Sequence, residues 1–95
     1  MEAKEKVDRS DRFTNAMIPL LREYRDRVEG FCLLWSRRTR KELFTSYHLS
    51  WQSFSSYVSQ SIEHTAIRDE RRIELILRLR EFESAVERLK NSIEP

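Results

Sequence analysis

The sequence predicts an all-α protein, folded as an antiparallel three-helix bundle. Three observations carry that expectation. Large apolar residues recur at alternating steps of three and four over three separate stretches, the stagger of one helical face. The chain has one Gly and two Pro, too few for the tight turns of a β fold. It is 36% charged, 39% hydrophobic and 11% aromatic, the balance of amphipathic helices and not of a disordered chain. Three such stripes close most simply as up-down-up.

Residues 1–12 alternate charges without an apolar face and are expected to form a flexible lead, with 13–95 as a single helical domain. The first helix is expected over residues 13–35. There Met17, Leu21, Tyr24, Val28, Phe31 and Trp35 keep an unbroken heptad register, widened by Leu20 and Leu34. Pro19 lacks a backbone donor and is tolerated best in a first turn. The helix proper is therefore expected to begin near Ile18, with 11–17 as a separate turn or kinked extension. Gly30 lies inside the register. Glycine there is about 1 kcal/mol worse than alanine, which hints at close approach by another backbone or a bulky side chain.

Residues 36–42, SRRTRKE, interrupt the stripe with Arg37, Arg38, Arg40 and Lys41. They read either as the loop between two helices or as a polar stretch of one continuous helix. Residues 46–62 hold no Lys, Arg, Asp or Glu and seven Ser. With Phe44 they present Phe44, Tyr47, Trp51, Phe54 and Val58 on one face, so residues 43–62 are expected as a continuous helix. Ser50 is a cap only if the chain breaks at 47–50. The serines are expected to let neighbouring helices approach closely. In residues 63–72, Thr65 is a candidate cap for a helix starting at Ala66. Asp69 and Glu70 would then lie near its N-terminal end, where negative charge is favoured. The third helix, 73–93, carries Leu75, Leu79, Phe82, Val86, Leu89 and Ile93 in register, broadened by Ile76.

The expected bundle resembles a spectrin repeat in size and in its stagger of aromatics, without a shared motif. A second architecture takes the scarcity of Gly and Pro literally. Two long helices, 13–47 and 50–93, would form a hairpin that dimerises into a four-helix bundle, with the charge-free stretch at the subunit seam.

Composition also limits function. One cysteine, Cys32, excludes a disulfide framework within the chain. It reads as a buried thiol acting as a small apolar residue. No run approaches a membrane span, and the polar N-terminus lacks the apolar core of a signal peptide. A reducing compartment, cytoplasmic or nuclear, is the expectation. His48, His64 and Cys32 have no metal-ligand spacing, no nucleophile elbow is present, and a single Gly cannot build a phosphate loop. No cofactor, no catalytic residue and no small-molecule substrate are expected.

Two stretches, IRDERR at 67–72 and LREYRDR at 21–27, superficially resemble the Arg-bearing stretches of the helical chorismate mutases. Their order and spacing differ from that family's. Only one helix follows IRDERR, and Ile73 stands where an acidic residue would follow the Arg. A small all-helical enzyme of that size is the remotest reading, and it requires several Arg converging in a buried cavity.

Two readings remain. The first is a non-enzymatic protein–protein interaction or adaptor module, self-associating or part of a complex. Trp35, Tyr47, Trp51, Phe54 and Tyr57 are its contact residues, because Trp and Tyr are enriched at interface hot spots. The second is binding of nucleic acid or an anionic membrane surface through a basic patch of Arg22, Arg25, Arg37, Arg38, Arg40 and Lys41. Fourteen of the eighteen basic residues are Arg, which bonds phosphate and carboxylate by a planar fork.

Overall fold

The computed structural model describes the backbone of residues 2–94 and the side chains of residues 11–94. Three helices follow one another: α1 (Glu2–Leu34), α2 (Arg37–His64) and α3 (Asp69–Ile93). They form a rod of 55 × 19 × 15 Å. The lead expected over 1–12 lies almost wholly outside the residues with described side chains; Asp11 and Arg12 belong to α1.

The bundle is a three-helix one, and α3 is its shared middle element, packed along both α1 and α2. Asn15, Arg25 and Glu29 of α1 bond Arg71, Glu81 and Arg88 of α3 in that order, so these two helices run parallel. Arg37 and Arg40 at the start of α2 reach the carbonyls of Ile93 and Ser92 at the end of α3, so α2 runs opposite to both. The long hairpin with a break at 47–50 is not adopted: that segment is helical, and the chain turns at Trp35 and Ser36.

The core follows the three stripes, with corrections that have physical causes. Leu21, Val28, Val58, Ile62, Leu75, Leu79, Phe82, Ala85 and Leu89 are buried. In the middle, Tyr24, Phe54 and Phe82 contribute one ring per helix, with centroids 5.0 to 6.2 Å apart. Two of these contacts are edge-on, a geometry that aromatic quadrupoles favour. Side-chain size at each seam sets how closely helices approach. Small buried residues, Thr14 and Ala85, let α1 and α3 draw together. Bulky rings hold α1 and α2 apart, and they meet through Tyr24 and Phe54.

Pro19 lies inside α1 and does not start it. Thr14, Ile18 and Leu21 are buried on either side of it, and that packing outweighs the lost hydrogen bond. Gly30 is not a point of close approach, because a Cβ built there meets nothing within 4 Å. Most serines of α2 do not line a tight seam either: Ser46, Ser50, Ser53, Ser56 and Ser59 are exposed, and Ser55 and Ser61 are half-buried.

Residues 37–42 form the first turns of α2, so the interruption is neither a loop nor part of an unbroken helix. Ser36 is the N-cap, its hydroxyl accepting from the Thr39 amide at 3.3 Å. Thr65 ends α2 and does not start α3. Arg68 occupies the N-cap of α3 without a side-chain bond, and Asp69 and Glu70 fill the first turn as expected. Ile67, in the turn between them, is buried and packs into the core at that end of the bundle.

Candidate interaction surface

The separation of α1 from α2 leaves a groove of about 500 Å³ between them. Tyr24, Val28 and Phe31 line it from α1; Leu43, Tyr47, Ser50, Trp51 and Phe54 line it from α2. The heptad arithmetic explains this lining. On α2 the residues 43, 47, 50 and 54 form one row, adjacent to the core row that carries Val58 and Ile62. Tyr57 continues the groove row, 55% exposed. Tyr47 and Trp51 stack at 6.1 Å with 29° between their planes.

The groove is nearly free of charge. Among the described residues Arg27 is the one ionic residue that lines it, and its guanidinium donates to Glu23 at 2.7 Å. A second groove, between α2 and α3, is lined by His48, Gln52, Glu83, Glu87 and Lys90 around Phe44 and Val86. It is the more polar of the two. Among the described residues no three of His, Cys, Asp or Glu come together in a way that could hold a metal ion.

The expected contact residues divide into two kinds. Trp51 and Phe54 are half-buried and pack on the core; Tyr47, Tyr57 and Trp35 are exposed at 49%, 55% and 50%. Of these, Tyr47, Trp51 and Phe54 share the groove. Trp35 lies apart, in the α1–α2 turn.

The six cations expected to form one patch also divide. Arg37, Arg38, Arg40 and Lys41 share the beginning of α2. Arg22 and Arg25 do not join them, because Arg25 lies ten residues before Trp35, about 15 Å along α1. Arg25 instead clamps α1 to α3, donating to Glu81 at 2.6 Å and to Asp26 at 3.0 Å. Its pKa is raised, first by the Asp26 hydrogen bond, against some desolvation, and then by the charges of Asp26 and Glu81. Burial works to raise the Glu81 carboxyl. Hydrogen bonds and charge from Arg78 and then Arg25 outweigh burial and hold that carboxyl below its ordinary value. Arg40 folds back on the Trp35 and Ser92 carbonyls, and Arg37 caps the Ile93 carbonyl. Both act on the open C-terminal ends of α1 and α3, where cations are favoured.

The two Arg-bearing stretches stay apart. Arg71 bonds Asn15, whereas Arg25 bonds Glu81, about three helical turns further along.

Sequence reasoning passed over Leu43 as a groove wall and Leu33 altogether. Leu33 and Leu34 are 84% and 81% exposed. A signal for Leu33 was present, since it falls outside the heptad stripe that carries Phe31.

Searched against family models, curated proteins and solved structures, the chain has no match, so its function is argued from its own residues.

Proposed function

We propose that this chain is a non-enzymatic helical interaction module that self-associates, the α1–α2 groove of one copy packing against the same groove of a second. The observation that carries the reading is the aromatic groove itself. Tyr24, Phe31, Tyr47 and Trp51 border a space that the chain's own three helices leave open. Tyr and Trp supply large contact area at low conformational cost, which is why they dominate interface energetics.

A second copy fits the groove on electrostatic grounds. A two-fold interface sets each patch against itself, so like charges would meet like. Here α2 has no Lys, Arg, Asp or Glu from 43 to 62, and Arg27 carries its own counter-ion in Glu23. Exposed Ser50 beside Tyr47 leaves room for a ring from the partner.

The test is the solution mass of the intact chain by sedimentation velocity, with Tyr47→Glu as the variant. Tyr47 is half exposed, so the substitution spares the core. The expected result is a dimer for the native chain and a monomer for Tyr47→Glu, with the same far-ultraviolet helical signal. A native chain that remains monomeric throughout the micromolar range overturns the proposal, as does a dimer that Tyr47→Glu leaves intact.

A further inference from the structure

The turn between α1 and α2 makes a second surface, separate from the groove. Leu33, Leu34 and Trp35 are consecutive and are 84%, 81% and 50% exposed. Successive helical residues point about 100° apart. Leu33 and Leu34 at the end of α1 therefore point to different sides, and Trp35 follows them in the turn. A partner helix lying along the rod can cover one of them. A fluid apolar phase that surrounds the tip can cover all three.

The charges at this end agree with such a phase. Arg38 and Lys41 are exposed, and Arg37 keeps part of its guanidinium outside its bond to the Ile93 carbonyl. The Arg38 side chain is 92% exposed and lies 3.7 Å from Glu42, a loose pair that is worth little in water. Glu42, Glu94 and Glu29, which shares a cleft with Leu33 and is paired with Arg88, are acidic residues near this end, and Arg37, Arg38, Arg40, Lys41 and Arg88 outnumber them. Two exposed leucines at the end of α1, a tryptophan in the turn and exposed Arg and Lys in the first turns of α2 are the residue types that a bilayer surface takes up. There aromatic rings sit at headgroup level and cations meet anionic lipid.

We propose that the α1–α2 tip is a membrane-docking wedge for anionic bilayers, with Leu33 and Leu34 entering the acyl boundary. Trp35 lies at the headgroup level, and Arg37, Arg38 and Lys41 contact lipid phosphate and carboxylate. No span is required. Among the described residues no helix is long and apolar enough to cross a membrane, and the wedge lies at one end of the rod, apart from the groove.

The experiment is co-sedimentation of the intact chain with vesicles of phosphatidylcholine, with and without phosphatidylserine. It is accompanied by quenching of tryptophan emission by brominated lipid in a Trp51→Phe background, which leaves Trp35 as the reporter. The expected result is binding to phosphatidylserine vesicles that weakens as salt rises and quenching of Trp35. The double variant Leu33→Ser/Leu34→Ser should bind roughly tenfold or more weakly, and Arg38→Glu/Lys41→Glu should lose the preference for phosphatidylserine. Three results overturn the proposal: no sedimentation with either vesicle, equal binding to both, or unquenched Trp35 in the native-like background. Loss of duplex-oligonucleotide binding in Arg38→Glu/Lys41→Glu, without vesicle binding by the native chain, overturns it in favour of nucleic acid. A change in solution mass in Leu33→Ser/Leu34→Ser, without vesicle binding by the native chain, overturns it in favour of a protein contact. The Trp35 quenching needs no tip substitution, so it stands even if a tip variant misfolds. The groove variant Tyr47→Glu should retain vesicle binding.

Discussion

Gly30 and Glu81 show how single residues in this bundle are set by different physics. Gly30 sits in a helix where a Cβ would meet nothing within 4 Å, so its conformational freedom is lost without any packing return. Gly30→Ala should stabilise the fold by about 1 kcal/mol, raising the thermal midpoint by about 4–8 °C, as calorimetry can check. Glu81 is placed between Arg25 of α1 and Arg78 of α3. Its carboxyl is lowered in the folded chain, so the sign of its pH dependence is fixed. The stabilisation it contributes is present above the ordinary carboxylate pKa and is lost as pH falls through the lower, folded value. Glu81→Gln should therefore flatten the acid side of the stability–pH curve in denaturant titrations. The slope concerned is shallow, because the carboxylate is over a third exposed and screened by water. Neither property was legible in the sequence. Arg25 and Glu81 are 56 positions apart, and the open space beside Gly30 is a property of how the helices pack, which local periodicity does not report.

At the scale of elements, the helices were largely legible and their ends were not. The heptad stripes mark α1, α2 and α3 because helical periodicity is local to a few turns. Starts and stops depend on finer chemistry. Ser36 has an extended backbone, with φ −62° and ψ 159°, and a hydroxyl that reaches the Thr39 amide, a cap whose position was open between loop and helix. Arg68 has nearly the same backbone, φ −60° and ψ 142°, but a side chain that makes no cap bond. Arg68→Ser should supply the missing acceptor to the first turn of α3 and gain on the order of 1 kcal/mol, measurable as a shift in the urea midpoint at constant slope. Propensity alone puts Pro19 at a helix start; burial of Thr14 and Ile18 around it holds it inside α1 instead.

For the whole molecule, a chain of 95 residues buries only about 60–65% of its unfolded surface, so its stability margin is thin. An association that covers the α1–α2 groove adds to that margin by mass action. Under the self-association reading, the melting temperature of the native chain should rise with protein concentration, while that of Tyr47→Glu should stay constant. A native melting temperature independent of concentration would contradict it. The groove exists because of how the three seams differ. Small side chains draw α1 onto α3, and rings hold α1 away from α2. Of the contact residues expected from sequence, Tyr47, Trp51 and Phe54 share that groove, whereas Trp35 belongs to the tip with Leu33 and Leu34.

The sequence by itself determined that this protein is helical, that three stripes must find one core, and that 46–62 carries aromatics without charge. These are properties of composition and of neighbours within a few turns. Only the tertiary structure decided that α3 lies in the middle and that Arg25 clamps helices without joining a basic patch. It also decided that Leu33, Leu34 and Trp35 stay in the open. The reason is physical: a heptad stripe says which residues share a face. Which part of that face is covered depends on the sizes of side chains brought together from distant parts of the chain.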